Sequence, residues 1–280
     1  MKDHPDVWLP VDGTADLPCG EPMERKPSAA KQLSRVVIRV GDGLTRMLFP
    51  PACLECGREV SAPGTFCAGC WPQLRAIETP LCPVLGTPFS VEMGGGIVSA
   101  EALAAPPVFE RARAAVVHDG PARGLVSALK YRDRTDLARW MAAWMVRAGD
   151  ELLADCQLIV AVPLHRRRLL GRRFNQSAEL ARAIANQSGN PFHPELLVRR
   201  RATPRQVGLT RGQRRENVRG AFIVPDAALP LLSGRKVLLI DDVYTTGATV
   251  TAASRAVLRG GAGSVDVLTF SRVLPEGRVA

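Results

Sequence analysis

The chain has 280 residues, of which 46% are hydrophobic and 23% charged. This length accommodates one large domain or two modest ones, and the composition excludes a chain that is disordered throughout. The longest apolar runs fall far short of the roughly 18 residues that a transmembrane helix needs. The N-terminus carries acids and prolines where a signal peptide would carry basic and then apolar residues. We therefore expect a cytoplasmic protein with no membrane insertion.

The net charge of +10 is concentrated in two segments. Residues 165–173 (HRRRLLGRR) contain five arginines and no acid, and residues 199–219 contain eight arginines and a single acid, Glu216. Concentrated positive charge attracts phosphate-rich partners such as nucleotides, pyrophosphate or nucleic acid. A solvated basic surface is the alternative interpretation.

The N-terminal part of the chain divides into three stretches. Residues 1–32 are polar and proline-rich without periodicity, which predicts a disordered tail. Residues 33–49 have apolar residues at helical spacing interrupted by glycines, which favours a short broken helix. Residues 50–89 are rich in cysteine and proline. We expect the helix and the cysteines to form a module over residues 33–92, followed by a second domain over residues 93–280.

Strands and helices alternate through the second domain. The predicted strands are 112–118, 157–162, 196–199, 236–241 and 264–270, and the predicted helices are 121–131, 136–148, 175–186 and 248–259. Such alternation predicts an α/β fold with a mostly parallel sheet flanked by helices. We find no internal repeat in the sequence.

Four of the seven cysteines form two CxxC pairs separated by ten residues; they are Cys53, Cys56, Cys67 and Cys70. Each pair places two thiolates on one metal, and two pairs complete a tetrahedral zinc site. Because such a site has no open position, we expect the zinc to be structural. Reactive or redox thiols are the alternative. Cys19, Cys82 and Cys156 have no partner at ligand spacing.

The segment Lys236–Val250 reads KVLLIDDVYTTGATV. An apolar strand ends in Asp241 and Asp242, and a short hydroxyl-rich loop then opens a helix. Ligands of parallel sheets lie at the carboxyl ends of strands, and the start of a helix offers free amides to a phosphate. The two carboxylates can accept hydrogen bonds from sugar hydroxyls, so the segment predicts a site for a ribose 5-phosphate. The phosphate would be held by Thr245, Thr246, Gly247, Ala248 and Thr249.

The alternative is a plain turn in which Thr249 or Asp242 caps the helix. A P-loop nucleotide site is excluded because the chain contains no Gly-Lys pair. Neither glycine-rich stretch continues into a dinucleotide-binding fingerprint.

This segment resembles the phosphoribosyl-pyrophosphate (PRPP) motif of type I phosphoribosyltransferases. The resemblance implies that Asp241 and Asp242 hold the 2′- and 3′-hydroxyls of the ribose. Together with the cysteine pairs, Leu129–Tyr131, Ala161–Ala181 and a series between Thr203 and Phe222 are similar to the ComF family. The likeness covers about residues 50–272.

The ComF resemblance implies a type I phosphoribosyltransferase-like sheet domain with a small N-terminal zinc-ribbon-like module. It also implies binding of PRPP with Mg²⁺, transfer of the phosphoribosyl group to an unknown acceptor, and a link to DNA uptake in natural transformation. DNA-uptake proteins are the partners that this link implies. A non-catalytic PRPP sensor that binds single-stranded DNA is the alternative function.

Two departures from the family patterns bear on these expectations. A third CxxCG turn is common in the family, but here Cys82-Pro-Val-Leu85-Gly86 lacks its second cysteine. Hypoxanthine-type transferases carry an acid where this chain has Thr245, which argues against that substrate class.

The arginine-rich segments are candidates for binding the pyrophosphate group of PRPP. We expect a pyrophosphate loop after the strand at 157–162, with a basic set consisting of His165, Arg166, Arg167, Arg168, Arg172 and Arg173. Residues 199–219 are expected to form a mobile basic loop over the site. Asn175 is either a helix N-cap or a ligand, and His118 and His193 are expected to be structural. We assign no catalytic base.

Overall fold

The computed structural model describes residues 50–92, 96–165, 174–201 and 210–274. The expected tail and broken helix at residues 1–49 lie outside this part of the chain. The cysteine-rich segment and the sheet both belong to one compact unit, Pro51–Ala280.

Six strands and eight α-helices are present in the described residues. The strands are β1 (Ala112–Val117), β2 (Leu158–Ala161), β3 (Val198–Arg199), β4 (Phe222–Ile223), β5 (Lys236–Tyr244) and β6 (Ser264–Arg272). The helices are α1 (Ala100–Ala104), α2 (Gly120–Tyr131), α3 (Leu137–Ala148), α4 (Asp150–Asp155), α5 (Gln176–Ser188), α6 (Arg211–Val218), α7 (Leu229–Leu232) and α8 (Ala248–Arg259). Two 3₁₀ turns cover Trp71–Gln73 and Asp226–Ala228.

The main sheet has four parallel strands in the order β1-β6-β5-β2. Both faces of this sheet are covered, which is why its strands are almost continuously apolar. Leu238 and Ile240 of β5 face a core formed with α2, α3 and α5. Val237 and Leu239 face the opposite core, which contains α8. The predicted fold class, a mostly parallel sheet flanked by helices, is confirmed.

The clearest differences from the sequence prediction lie in the arginine-rich segment 199–219. Its described part is not a loop: β3 pairs with β4 in a small antiparallel sheet, and residues 211–218 form α6. A capping box starts this helix, because the Thr210 side chain accepts from the Gln213 amide and the Gln213 side chain accepts from the Thr210 amide. Helix α6 packs against α8.

The cysteine-rich segment packs on α2 and α3. A side chain at Gly64 would collide with the Trp140 ring, and one at Gly124 would collide with the Glu55 carboxylate. Trp71 and Trp144 lie with their ring centroids 5.7 Å apart. No helix within the described ranges is long and apolar enough to cross a membrane.

Candidate functional site

Asp241 and Asp242 lie near the carboxyl end of β5, and both are buried. Asp241 Oδ1 accepts a hydrogen bond of 2.9 Å from Ser177 Oγ and one of 3.0 Å from the Asp242 amide. Ser177 stands in the first turn of α5, which begins at the same edge of the sheet as the end of β5. Two elements that are distant in sequence therefore fix the orientation of this carboxylate.

Asp242 makes a different contact from its neighbour. Its Oδ2 lies 2.7 Å from Lys130 Nζ, on the last turn of α2. Since successive residues of a strand point to opposite faces, the two carboxylates have different neighbours. Lys130 belongs to the Leu129–Tyr131 match, but its pairing with Asp242 was not predicted, because the two residues are 112 positions apart.

The electrostatics of the pair follow from this geometry. Burial and the charge of Asp242 raise the pKa of Asp241 to about 7, although Ser177 and Lys130 act in the opposite direction. Nearby, His118 Nδ1 lies 2.8 Å from Ser271 Oγ. Burial and the charge of Lys130 lower the pKa of His118.

The loop after β5 turns sharply at Gly247, whose φ is +73°. A side chain at this position would be strained and would begin 2.5 Å from the Tyr244 hydroxyl oxygen. Tyr244 is itself held in place, because the Arg272 guanidinium lies 4.2 Å from the centroid of its ring and Phe109 packs against it edge-on. The close approach of Tyr244 therefore makes glycine necessary here.

The start of α8 has the character of an anion site. Gly247 is the N-cap residue and offers no side chain, and the first turn contains no acid. The alternative capping prediction is wrong for Asp242, which instead pairs with Lys130. Thr246 Oγ1 is buried and has no hydrogen-bond partner among the residues that the structure describes. An anion at this position would satisfy both the helix amides and this hydroxyl.

The predicted pyrophosphate residues are described only in part. His165 follows β2 at the same sheet edge and is half-buried, whereas Arg166, Arg167, Arg168, Arg172 and Arg173 lie outside the described residues. Asn175 caps α5, since its Oδ1 accepts from the Ser177 amide at 3.2 Å and its Nδ2 donates to the Val162 carbonyl at 3.1 Å. The cap joins the end of β2 to the helix that supports Asp241.

A cavity of about 430 Å³ opens beside the loop, between α6, α8 and the segment after α1. Tyr244, Thr246 and Thr251 line it together with four arginines and two glutamates; these charged residues are Arg215, Arg219, Arg255, Arg259, Glu101 and Glu216. The contribution of α8 to this cavity was not predicted from the sequence. The spacing of Thr251, Arg255 and Arg259 places them on one face of the helix, and this is the signal that could have identified it.

The four paired cysteines come together in the cysteine-rich segment. Their sulfur atoms all lie within 4.8 Å of one another, and Cys56 Sγ and Cys67 Sγ are 3.6 Å apart. Burial alone would raise the pKa of Cys53. Hydrogen bonds from the amides of Cys56, Cys67 and Glu55 outweigh this effect and lower the pKa to about 6. Four converging sulfur atoms with an available thiolate fit a tetrahedral structural zinc ion. Cys156 lies apart, and burial raises the pKa of its thiol to about 11.

Residues 44–102 match the family model described as a double zinc ribbon domain. Over 216 residues the chain is 31% identical to the DNA utilization protein YhgH of Escherichia coli O157:H7, covering 75% of this chain and 91% of the relative. It is 25% identical to Competence protein F of Haemophilus influenzae, covering 79% and 96%. The chain belongs to the ComF family. The resemblance stated from the motifs is thereby confirmed for this ComF protein.

Among solved structures, the ComF chain is similar to the glutamine PRPP amidotransferase from B. subtilis complexed with ADP and GMP. The identity is 20%, the TM-score is 0.30, and the match covers 46% of this chain and only 25% of that one. A similarity of this size says nothing about the ligand of the ComF chain.

Proposed function

We propose that this ComF protein binds PRPP with Mg²⁺ at the carboxyl end of β5 and transfers the phosphoribosyl group to an acceptor. The observation that carries the proposal is the order of two features along the segment from Asp241 to Gly247. Two buried carboxylates, Asp241 and Asp242, are followed within five residues by an uncapped helix start at Gly247. A sugar with a phosphate ester presents hydroxyl donors and an anion in the same order.

Asp241 and Asp242 would accept hydrogen bonds from the ribose hydroxyls, with Ser177 and Lys130 fixing their orientation. The loop from Thr245 to Thr249 would receive the 5-phosphate through its amides and hydroxyls. Carboxylate oxygens are also the ligand type that Mg²⁺ prefers. When bound, the ion would neutralise charge on the pyrophosphate leaving group, a role shared with the arginines of residues 166–173.

Calorimetry with PRPP and Mg²⁺ tests the binding site. We expect the wild type to bind and Asp241→Asn/Asp242→Asn to lose binding, because a neutral amide oxygen is a weaker acceptor for sugar hydroxyls than a carboxylate and a weaker ligand for Mg²⁺. Asp226→Asn, on the exposed Asp226–Ala228 turn, is the matched control and should bind as the wild type does. Equal binding by all three proteins would exclude the ribose assignment.

Release of pyrophosphate in the presence of candidate acceptors tests catalysis. A transferase releases pyrophosphate only when acceptor is present, and the Asp241→Asn/Asp242→Asn protein should release none. Binding of PRPP without release under any acceptor would instead support the non-catalytic sensor. The names of the similar proteins, DNA utilization protein YhgH and Competence protein F, support a role in the use or uptake of DNA. A cytoplasmic location and DNA-uptake proteins as partners stay predictions.

Single-stranded DNA is a second ligand that one observation favours. Arg215, Arg219, Arg255 and Arg259 line a single cavity next to Thr246, and guanidinium groups bind phosphate diester oxygens well. An oligonucleotide titration should show affinity that falls steeply with salt. Arg255→Ala/Arg259→Ala should weaken this binding, whereas Arg134→Ala, an exposed arginine on the segment before α3, should not. If both variants bind the oligonucleotide as the wild type does, this cavity is not the DNA-binding site.

A further inference from the structure

The turn that holds Cys53 and Cys56 occurs a second time, 29 residues further along the chain. In both copies the cysteine amide donates to the carbonyl five residues later, and a glycine amide donates back to the cysteine carbonyl. The bonds are Cys53 N to Arg58 O (2.7 Å) and Cys82 N to Thr87 O (2.9 Å), then Gly57 N to Cys53 O (3.1 Å) and Gly86 N to Cys82 O (2.8 Å). Both glycines have positive φ, 74° and 62°. The expectation of no internal repeat is therefore wrong.

The bridges that close the two turns also correspond. Ala52 pairs antiparallel with Glu59 in the first copy, and Leu81 pairs antiparallel with Pro88 in the second. These pairs are again 29 residues apart. The two turns thus share their backbone hydrogen-bonding scheme although few of their side chains are identical.

The correspondence continues at the other half of the metal site. The Cys67 amide donates to Cys53 Sγ at 3.3 Å, and the Ser99 amide donates to Cys82 Sγ at the same distance. Ser99 therefore takes the place of Cys67. Three residues later, Ala102 takes the place of Cys70; Cys70 is the N-cap residue of the Trp71–Gln73 turn, and Ala102 lies within α1.

The four ligand positions of the second copy cannot bind zinc as they stand. They are occupied by Cys82, Leu85, Ser99 and Ala102, so a single thiol remains of the four that a closed site needs. All four residues are at most 5% exposed. Cys82, Leu85 and Ala102 belong to the same apolar core as β5 and α8. Side-chain packing fills the space in which a metal ion would be held.

We propose that residues 80–92 and 96–104 form a second zinc ribbon in which an apolar centre has replaced the metal, so that the chain holds one zinc ion although it contains two ribbons. The first ribbon keeps its fold through metal ligation. The second keeps the same backbone through burial and through bonds to the sheet, since the Ala112 amide donates to the Val84 carbonyl at 2.8 Å. Restoring the missing thiols should therefore restore a metal site.

The decisive experiment compares zinc content per chain by inductively coupled plasma mass spectrometry. We expect one zinc in the wild type and two in Leu85→Cys/Ser99→Cys/Ala102→Cys. The matched control adds Cys82→Ala to that triple variant and should return to one. Two zinc ions in the wild type, or one in a triple variant that unfolds cooperatively like the wild type, would overturn the proposal.

A second comparison does not depend on the folding of the triple variant. Cys82→Ala in the wild type should keep one zinc, because this thiol is not a ligand, whereas Cys53→Ala at the equivalent position should lose it. Loss of zinc from the purified, folded Cys82→Ala protein would show that the second ribbon takes part in metal binding, and the proposal would be wrong.

Discussion

Replacing Asp241 with asparagine should stabilise the fold while it removes ligand binding. The pKa of Asp241 is raised from 3.8 to about 7, first by burial and then by the charge of Asp242. An acid whose pKa is raised by folding contributes stability below its unfolded pKa and loses it as pH rises through the folded value. The wild type should therefore lose stability between about pH 4 and pH 7. Asparagine does not ionise in this pH range, so the Asp241→Asn protein does not lose this stability.

The size of the effect follows from proton linkage. With these two pKa values, ionising Asp241 costs the folded state about 4 kcal/mol at pH 8 and roughly 2 kcal/mol at pH 5. The free-energy advantage of Asp241→Asn over the wild type should thus grow by about 2–3 kcal/mol between these two pH values. Using the difference between two pH values cancels any pH-independent effect of the amide. The Ser177 hydroxyl can still donate to the amide oxygen.

Urea denaturation of the zinc-loaded protein at pH 5 and pH 8 measures this difference. Asp266→Asn is the matched control, because Asp266 is also buried but lies 2.6 Å from the Arg111 guanidinium. Losing that partner should lower stability at pH 8, opposite in sign to Asp241→Asn. The reasoning is refuted if Asp241→Asn shows the same pH dependence as the wild type.

Three further changes test other parts of the site. Gly247→Ala should lower the free energy of unfolding by about 1–3 kcal/mol in urea, because of its positive φ and the nearby Tyr244 hydroxyl; unchanged stability would mean that the turn can relax. Lys130→Met should cost about 3 kcal/mol in the same assay by leaving a buried carboxylate unpaired, and a neutral result would contradict the ion pair. Cys67→Ser should lose zinc and lower the melting temperature, whereas Cys156→Ser should keep the metal.

Hydrophobic periodicity was enough to predict most of the sheet and its covering helices. Strand β5 is an example, because its apolar run is a local signal, although the strand continues past the two acids to Tyr244 and not, as predicted, only to residue 241. Helix α6 was missed because Val218 is its only buried residue among the side chains described there, so the apolar stripe that marks a packed helix is absent. Its Thr210-x-x-Gln213 capping box was a usable local signal.

Contacts between segments that are distant in the sequence could not be predicted from local patterns. The bonds from Ser177 to Asp241 and from Lys130 to Asp242 depend on which helix lies over which strand, and composition does not encode that. The second ribbon was only half visible in the sequence. Its first turn could be identified from Cys82 and Gly86, but Ser99 and Ala102 carry no sulfur atom and gave no signal. Their places in the ribbon are shown by the hydrogen bond from the Ser99 amide to Cys82 Sγ, which requires three-dimensional structure.

The second ribbon and the candidate phosphate loop are mechanically connected. The Leu85 carbonyl accepts a hydrogen bond from the Arg272 side chain, the Arg272 guanidinium covers the Tyr244 ring, and the Tyr244 hydroxyl abuts Gly247. Leu85 occupies a ligand position of the former metal site, so its backbone had to stay in place when the metal was lost. A change that collapsed the turn would remove the Leu85 carbonyl from the Arg272 side chain, one of the contacts in the series that leads through Tyr244 to the loop at the start of α8. The backbone of the second ribbon therefore supports this loop although it holds no metal ion.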